Sequence, residues 1–331
     1  MASFSYRMNL ANFTCKFGDR LVLLDLFDEV VLPAFKGQEV RSFSDASYFL
    51  IDVQLRKYDD NEVAIIGRIV KNTILTRDQI FENGKIVKNH AQIDSAPTSF
   101  FSLLLSNHKL LYVKENIGAP SLDTFASTMS LFLGSSYKRW TRKIYDERNK
   151  VGSITWSKLR SEFPPPKLEI TAMGTESSVS AYVKKFSVIN TVEIKLVDTN
   201  HELDNLPIFG DMRGIQEQVD ATDITLKTHK GGDIGLNKGG IARLVASPAQ
   251  EGNSKIIIRG KGLGGDALIA KNDSFNVSIP IPKMPRNVGA AADVLWNKLS
   301  SQESLGIINL KAGGIKAMRK IAAIIREQKW Q

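Results

Sequence analysis

The sequence predicts an α+β fold, and three observations predict it. Short runs of alternating apolar and polar residues fill the first 114 residues, one long amphipathic helical pattern follows Pro120, and strand-like and helix-like runs then mix as far as Pro285. The expected order is a β-rich N-terminal part with hairpins (1–119), a long basic connecting helix with a Pro-rich linker (120–166), a second α+β domain (167–285) and a basic helical C-terminal tail (286–331).

Each element has its own signal. Residues 4–17 alternate like a strand, and 21–35 carry apolar residues at mixed helical spacing. Runs 48–57 and 63–71 flank the turn Tyr58-Asp59-Asp60-Asn61-Glu62, a second pair brackets Asn83-Gly84, and a third crosses Asn107-His108-Lys109 between 100–105 and 110–114. Ser121 caps a helix in which Leu122, Phe125, Met129, Phe132, Trp140 and Ile144 recur near one face. Pro164-Pro165-Pro166 breaks regular structure and marks a domain boundary. Beyond it the expected order is a strand at 168–173, a helix near 177–189, a strand at 191–198, a helix near 211–220, a strand at 223–228, a helix near 240–246 and strands at 255–259 and 275–281. Helices at 290–299 and 314–329 close the chain.

Composition limits the function classes. No apolar run approaches the roughly twenty residues of a bilayer-spanning helix, and the N-terminus shows no secretory leader, so a cytoplasmic location is expected. The single cysteine, Cys15, and four scattered histidines (His90, His108, His201, His229) have no metal-ligand spacing, and no cofactor or metal site is expected. Gly260-Lys261-Gly262-Leu263-Gly264-Gly265 matches a dinucleotide fingerprint in letters alone, because no helix opens after it, and it reads as a hairpin turn.

Charge is the informative quantity. The net charge of +9 is uneven: residues 1–100 hold twelve Lys/Arg against thirteen Asp/Glu, 101–166 hold ten against five, and 286–331 hold eight against three. Clustered cations of this kind are the footprint of a polyphosphate partner, set against the plain alternative of a solvated basic face. Three banks follow. Lys138, Arg139, Arg142 and Lys143 fall within two turns of the long helix, Lys227, Lys230, Lys238, Arg243, Arg259 and Lys261 sit in and around Gly-rich turns, and Lys316, Arg319 and Lys320 lie opposite the apolar arc of the last helix. A rival reading assembles Glu176, Glu193 and Lys195 into an Mg²⁺-dependent nuclease site. A third makes the terminal helix a protein-docking module without DNA binding.

The order of elements and the stretches Leu168-Glu169-Ile170-Thr171-Ala172-Met173-Gly174-Thr175, Asn190-Thr191-Val192-Glu193-Ile194-Lys195, Asp223-Ile224-Thr225-Leu226-Lys227, Gly265-Asp266-Ala267-Leu268 and Val277-Ser278-Ile279-Pro280 resemble the RexA family of phage exclusion proteins carried by lambdoid prophages. These are mostly strand and turn residues, so they speak for fold before activity. The resemblance implies a homodimeric, non-enzymatic protein of anti-phage defence with a globular and a mobile part, acting with a membrane effector protein. The resulting expectation is a protein that binds double-stranded DNA without sequence preference and triggers an abortive response.

Overall fold

Two antiparallel sheets organise the chain in the computed structural model, which describes residues 5–152, 154–197, 207–308, 310 and 314–327. The fold is mixed α+β. Residue 4 of the expected first strand, residue 198 of the strand expected at 191–198, His201, and residues 328–329 of the last helix lie outside the described residues.

The large sheet is built around β1 (Tyr6–Phe17), whose alternation sends Ala11, Phe13, Cys15 and Phe17 to one face and Met8 and Leu10 to the other. On one edge β1 pairs with β8 (Lys109–Lys114), followed by β7 (Thr98–Leu104), β5 (Val63–Glu82), β4 (Ala46–Lys57) and β3 (Arg41–Phe43), with β2 (Leu21–Val22) on the last two residues of β1. The other edge of β1 is shared by β9 (Pro166–Ala172), along residues 11–17, and β14 (Ser278–Ile281), along residues 6–9. Pro166 opens a strand, where its missing N–H is tolerated, so the triproline ends the helical run while the chain re-enters the large sheet. The stretch 167–285 therefore begins and ends on strands of the N-terminal sheet.

One face of this sheet is covered by residues 23–36, by α2 (Leu122–Val151) and by α8 (Ile315–Glu327); the other is covered by α7 (Val288–Ser304). The helix expected over 21–35 is instead a 3₁₀ turn (Leu23–Leu26), a π turn (Phe27–Val31) and α1 (Leu32–Lys36), with Pro33 in the first turn of α1. Leu26 departs from helical geometry, at φ −118° and ψ 37°, which parts the 3₁₀ turn from the π turn, and Pro33 withholds the N–H that would bond to the turn before it. Ser121 caps α2 as expected, its hydroxyl accepting the Thr124 amide at 3.1 Å.

Between β9 and β14 the chain builds the second sheet, in the order β11 (Thr225–His229), β10 (Phe186–Leu196), β12 (Ser254–Gly262), β13 (Ala267–Lys271). Helices α4 (Glu176–Val183), α5 (Pro207–Gln218) and α6 (Lys238–Glu251) bury Val179, Phe209, Met212 and Val245 against Val192, Ile194, Ile256 and Ile258. The helix expected near 177–189 stops at Val183 because Phe186, Val188 and Ile189, aromatic and β-branched residues, begin β10. Entry and exit lie side by side: the Val277 amide donates to the Met173 carbonyl at 2.8 Å, and the Met173 amide to that of Leu10 at 2.9 Å. No helix among the described residues is long and apolar enough to cross a membrane.

Candidate nucleic-acid interface

The buried residues of α2 end at Thr141, so its last ten residues, 142–151, extend past the core. A short helix, α3 (Trp156–Glu162), folds back on this extension and stiffens it. Tyr145 stacks on Trp156 at 4.1 Å, Arg142 stands over the Trp156 ring at 5.9 Å, and Arg148 forks onto both Glu162 oxygens at 2.6 and 2.8 Å. At the base, Trp140 meets Phe163 edge-on at 4.9 Å and the Tyr137 hydroxyl donates to the Phe163 carbonyl at 2.6 Å.

This projection and the turn of α2 that leads into it concentrate positive charge. Residues 138–162 contain eight cations, Lys138, Arg139, Arg142, Lys143, Arg148, Lys150, Lys158 and Arg160, against the three carboxylates Asp146, Glu147 and Glu162. Arg142 holds Asp146 at 3.2 Å and Arg139 holds Glu39, whereas Lys138, Lys143, Lys150 and Lys158 are exposed and form no ion pair among the described residues. Arg139, Lys143 and Lys150 share one stripe of α2 and Lys138 and Arg142 the next. At 1.5 Å rise per residue, Lys138 to Lys150 spans roughly 18 Å, about five steps along a duplex strand. The bank expected from the sequence stops at Lys143. Arg148 and Lys150 fall outside it because the apolar spacing that marks α2 in the sequence ends at Ile144, and Lys158 and Arg160 because α3 is too short to show a period, although Thr155 is a legible cap whose hydroxyl accepts the Lys158 amide at 3.2 Å.

The second bank divides. On the uncovered face of the second sheet, strand alternation places Lys227 on β11, Lys195 on β10, Lys255, Arg259 and Lys261 on β12, and Lys271 on β13. Most are already neutralised. Glu193, at the centre, meets Arg259 at 2.9 Å and Lys227 at 3.1 Å, Lys195 meets Asp223 at 2.5 Å, Lys255 meets Glu169 at 3.2 Å and Lys261 meets Asp233 at 2.9 Å. Arg259 first, then Lys227, holds the Glu193 carboxyl below the usual range. Lys230 is exposed in the loop after β11. The ammonium of Lys238 is turned inward and donates to the Phe186 carbonyl at 2.5 Å, and Arg243 lies in the helical layer, on α6, away from the uncovered face.

The third bank is partly tied down. Ile321 and Ile324 of α8 join the first core, while Lys316 pairs with Asp25 at 2.7 Å and Lys320 with Asp28 at 2.6 Å; Arg319 is exposed. The three banks therefore do not form one surface. α2 and α8 cover one face of the large sheet, and the Lys255–Glu169 pair ties the second sheet to the opposite side, since Leu168 and Ile170, the neighbours of Glu169, face α2.

The nuclease constellation does not assemble. Glu193 is on the uncovered face of the second sheet, held by Arg259 and Lys227, whereas Glu176 opens α4, which packs on the opposite face. Lys195 is turned to Asp223. Among the described residues no three His, Cys, Asp or Glu side chains come together as a ligand set. The chain matches no protein-family model and no curated protein.

Proposed function

We propose that the protein binds double-stranded DNA without base selectivity, with the α2–α3 projection as its main contact to the phosphates. The observation that carries this reading is the surplus of eight cations over three carboxylates along residues 138–162, six of the eight lying on the braced helical pair that stands clear of the core. Phosphate contact needs mobile cations at the surface and no base-reading geometry. The uncovered face of the second sheet is the weaker candidate, because phosphates there must displace Glu193, Asp223, Glu169 and Asp233. The one aromatic ring on that face among the described residues, His229, is hydrogen-bonded to the Thr191 hydroxyl at 2.9 Å and leaves no platform of rings for stacking bases, which favours duplex over single strands. By the resemblance to the RexA family, such binding would serve as the sensing step of an abortive response to phage.

The test is a gel shift on several unrelated duplexes with two triple variants. Lys138→Ala/Lys143→Ala/Lys150→Ala is expected to weaken binding to every duplex at least tenfold, and Lys195→Ala/Lys255→Ala/Lys271→Ala less than threefold, because removing a cation from a phosphate acts alike on all sequences. The reverse order would move the interface to the sheet. Unshifted duplexes at 50 mM salt would end the DNA reading altogether.

A further inference from the structure

The longest strand of the protein, β5, outruns its sheet. β4 and β7 accompany it only as far as Thr73 and Val70; beyond that its one strand partner among the described residues is β6 (Lys85–Ser95), across the Asn83-Gly84 turn. The result is a two-stranded ribbon, residues 73–95, projecting from the body with one bulge, where Asn89 and His90 together oppose Asp78. Both of its faces expose apolar side chains. Phe81, Ile86, Leu75 and Ile93 are 77%, 71%, 54% and 57% exposed on one face, and Ile74 and Val87 are 52% and 43% exposed on the other. A lone two-stranded ribbon is marginal in water, and an open apolar edge of this length is a template for another strand.

The residues of β6 say which strand. The bulge reverses the facing of side chains at its position, so Ile86 and Lys88 share a face with Ala91 and Ile93, while Lys85 and Val87 share the other with Gln92 and Asp94. When β6 is laid antiparallel against a second β6 about a two-fold axis between Asn89 and His90, every facing pair falls on a common face. Ile86 then meets Ile93 twice and Lys85 meets Asp94 twice. Slipping the register by one step in either direction that keeps the faces matched puts Ile86 against Ala91 or Ser95 and loses the Lys85–Asp94 pairing. The free edge of β5 lacks this complementarity, since a two-fold at Arg77 or Asp78 sets like charges face to face. We infer that the occupant of this edge is a second copy of the chain, the two ribbons merging into one four-stranded sheet.

Sedimentation velocity without DNA tests this independently of the DNA reading. The wild type is expected at twice the 36.7 kDa chain mass, Asp94→Lys at the monomer mass, and Lys85→Asp/Asp94→Lys back at the dimer mass, because the swap restores opposite charges. Circular dichroism and the melting temperature show that each variant is folded. Ile86→Cys/Ile93→Cys should cross-link into a covalent dimer on mild oxidation, with the native Cys15 buried and silent. A wild type that stays monomeric at tens of micromolar, a dimer indifferent to Asp94→Lys, or a ribbon whose variants change only DNA affinity overturns the inference.

Discussion

Glu62 is 5% exposed, and its carboxylate accepts the amides of Leu105 and Ser106 at 3.0 and 3.1 Å together with the Ser106 hydroxyl. Burial outweighs these bonds and pushes its pKa from an ordinary 4.5 up to about 7. An acid with a raised folded-state pKa stabilises the fold in its neutral form. That contribution is complete below the ordinary value and is lost as pH rises through about 7. Stability should fall by about 3 kcal/mol across this window, and Glu62→Gln should flatten the fall in urea midpoints measured between pH 4.5 and 8. An equal fall in the variant would contradict the assignment. Gly260 shows a different kind of dependence. A Cβ there would overlap the Val188 carbonyl oxygen and crowd the Ile189 backbone at the irregularity where β10 pairs with β12, so Gly260→Ala should cost at least about 1–3 kcal/mol. A melting temperature within a degree of wild type would refute this close approach. Sequence alone marks Gly260 as part of a turn; the glycine is required one strand away, by a long-range approach that local pattern does not encode.

Among the elements, α2 is legible because its cap and its apolar spacing both lie within a few residues of one another. The run over 21–35 does not resolve into its separate turns from sequence, and α3 escapes notice, because seven residues are too few to show a period. Attachment of α7 rests on side chains that no sequence window connects. Arg56 forks onto Asp293 at 2.9 and 2.7 Å, and Tyr58 stacks on Trp296 at 4.6 Å. Arg68, whose side chain is 10% exposed, joins Glu115 at 3.0 Å, Asp52 at 3.1 Å and the Arg286 carbonyl just before α7 at 2.8 Å. Arg68→Ala leaves the Glu115 carboxylate, whose side chain is 11% exposed, without its cation and should destabilise by about 3–5 kcal/mol. Arg68→Lys should recover only part, since an ammonium cannot reproduce the forked geometry. Denaturant midpoints of the two variants check this; full recovery by lysine would mean that charge alone is what the site needs.

At the scale of the molecule, the chain leaves the large sheet at β9, builds the second sheet, and returns at β14 beside its point of departure. The α+β class is legible because it follows from counting strands and helices. The position of β9 and β14 is not, because strand partners are chosen by register across more than 150 residues, for which the sequence offers no local sign. The same separation sorts the cations. Thirteen residues of α2, 138–150, hold six of the eight cations of one bank, whereas the bank read from Gly-rich turns is divided among an open sheet face, a loop and a helical layer, much of it matched by carboxylates that strand pairing brings near. The central claim is that unmatched cations of the α2–α3 projection hold duplex phosphates. Its most direct measurement is the slope of log binding constant against log salt concentration for wild type and for Lys138→Ala/Lys143→Ala/Lys150→Ala. Removal of three phosphate-holding cations predicts a slope shallower by about 2.7, and identical slopes would contradict the claim.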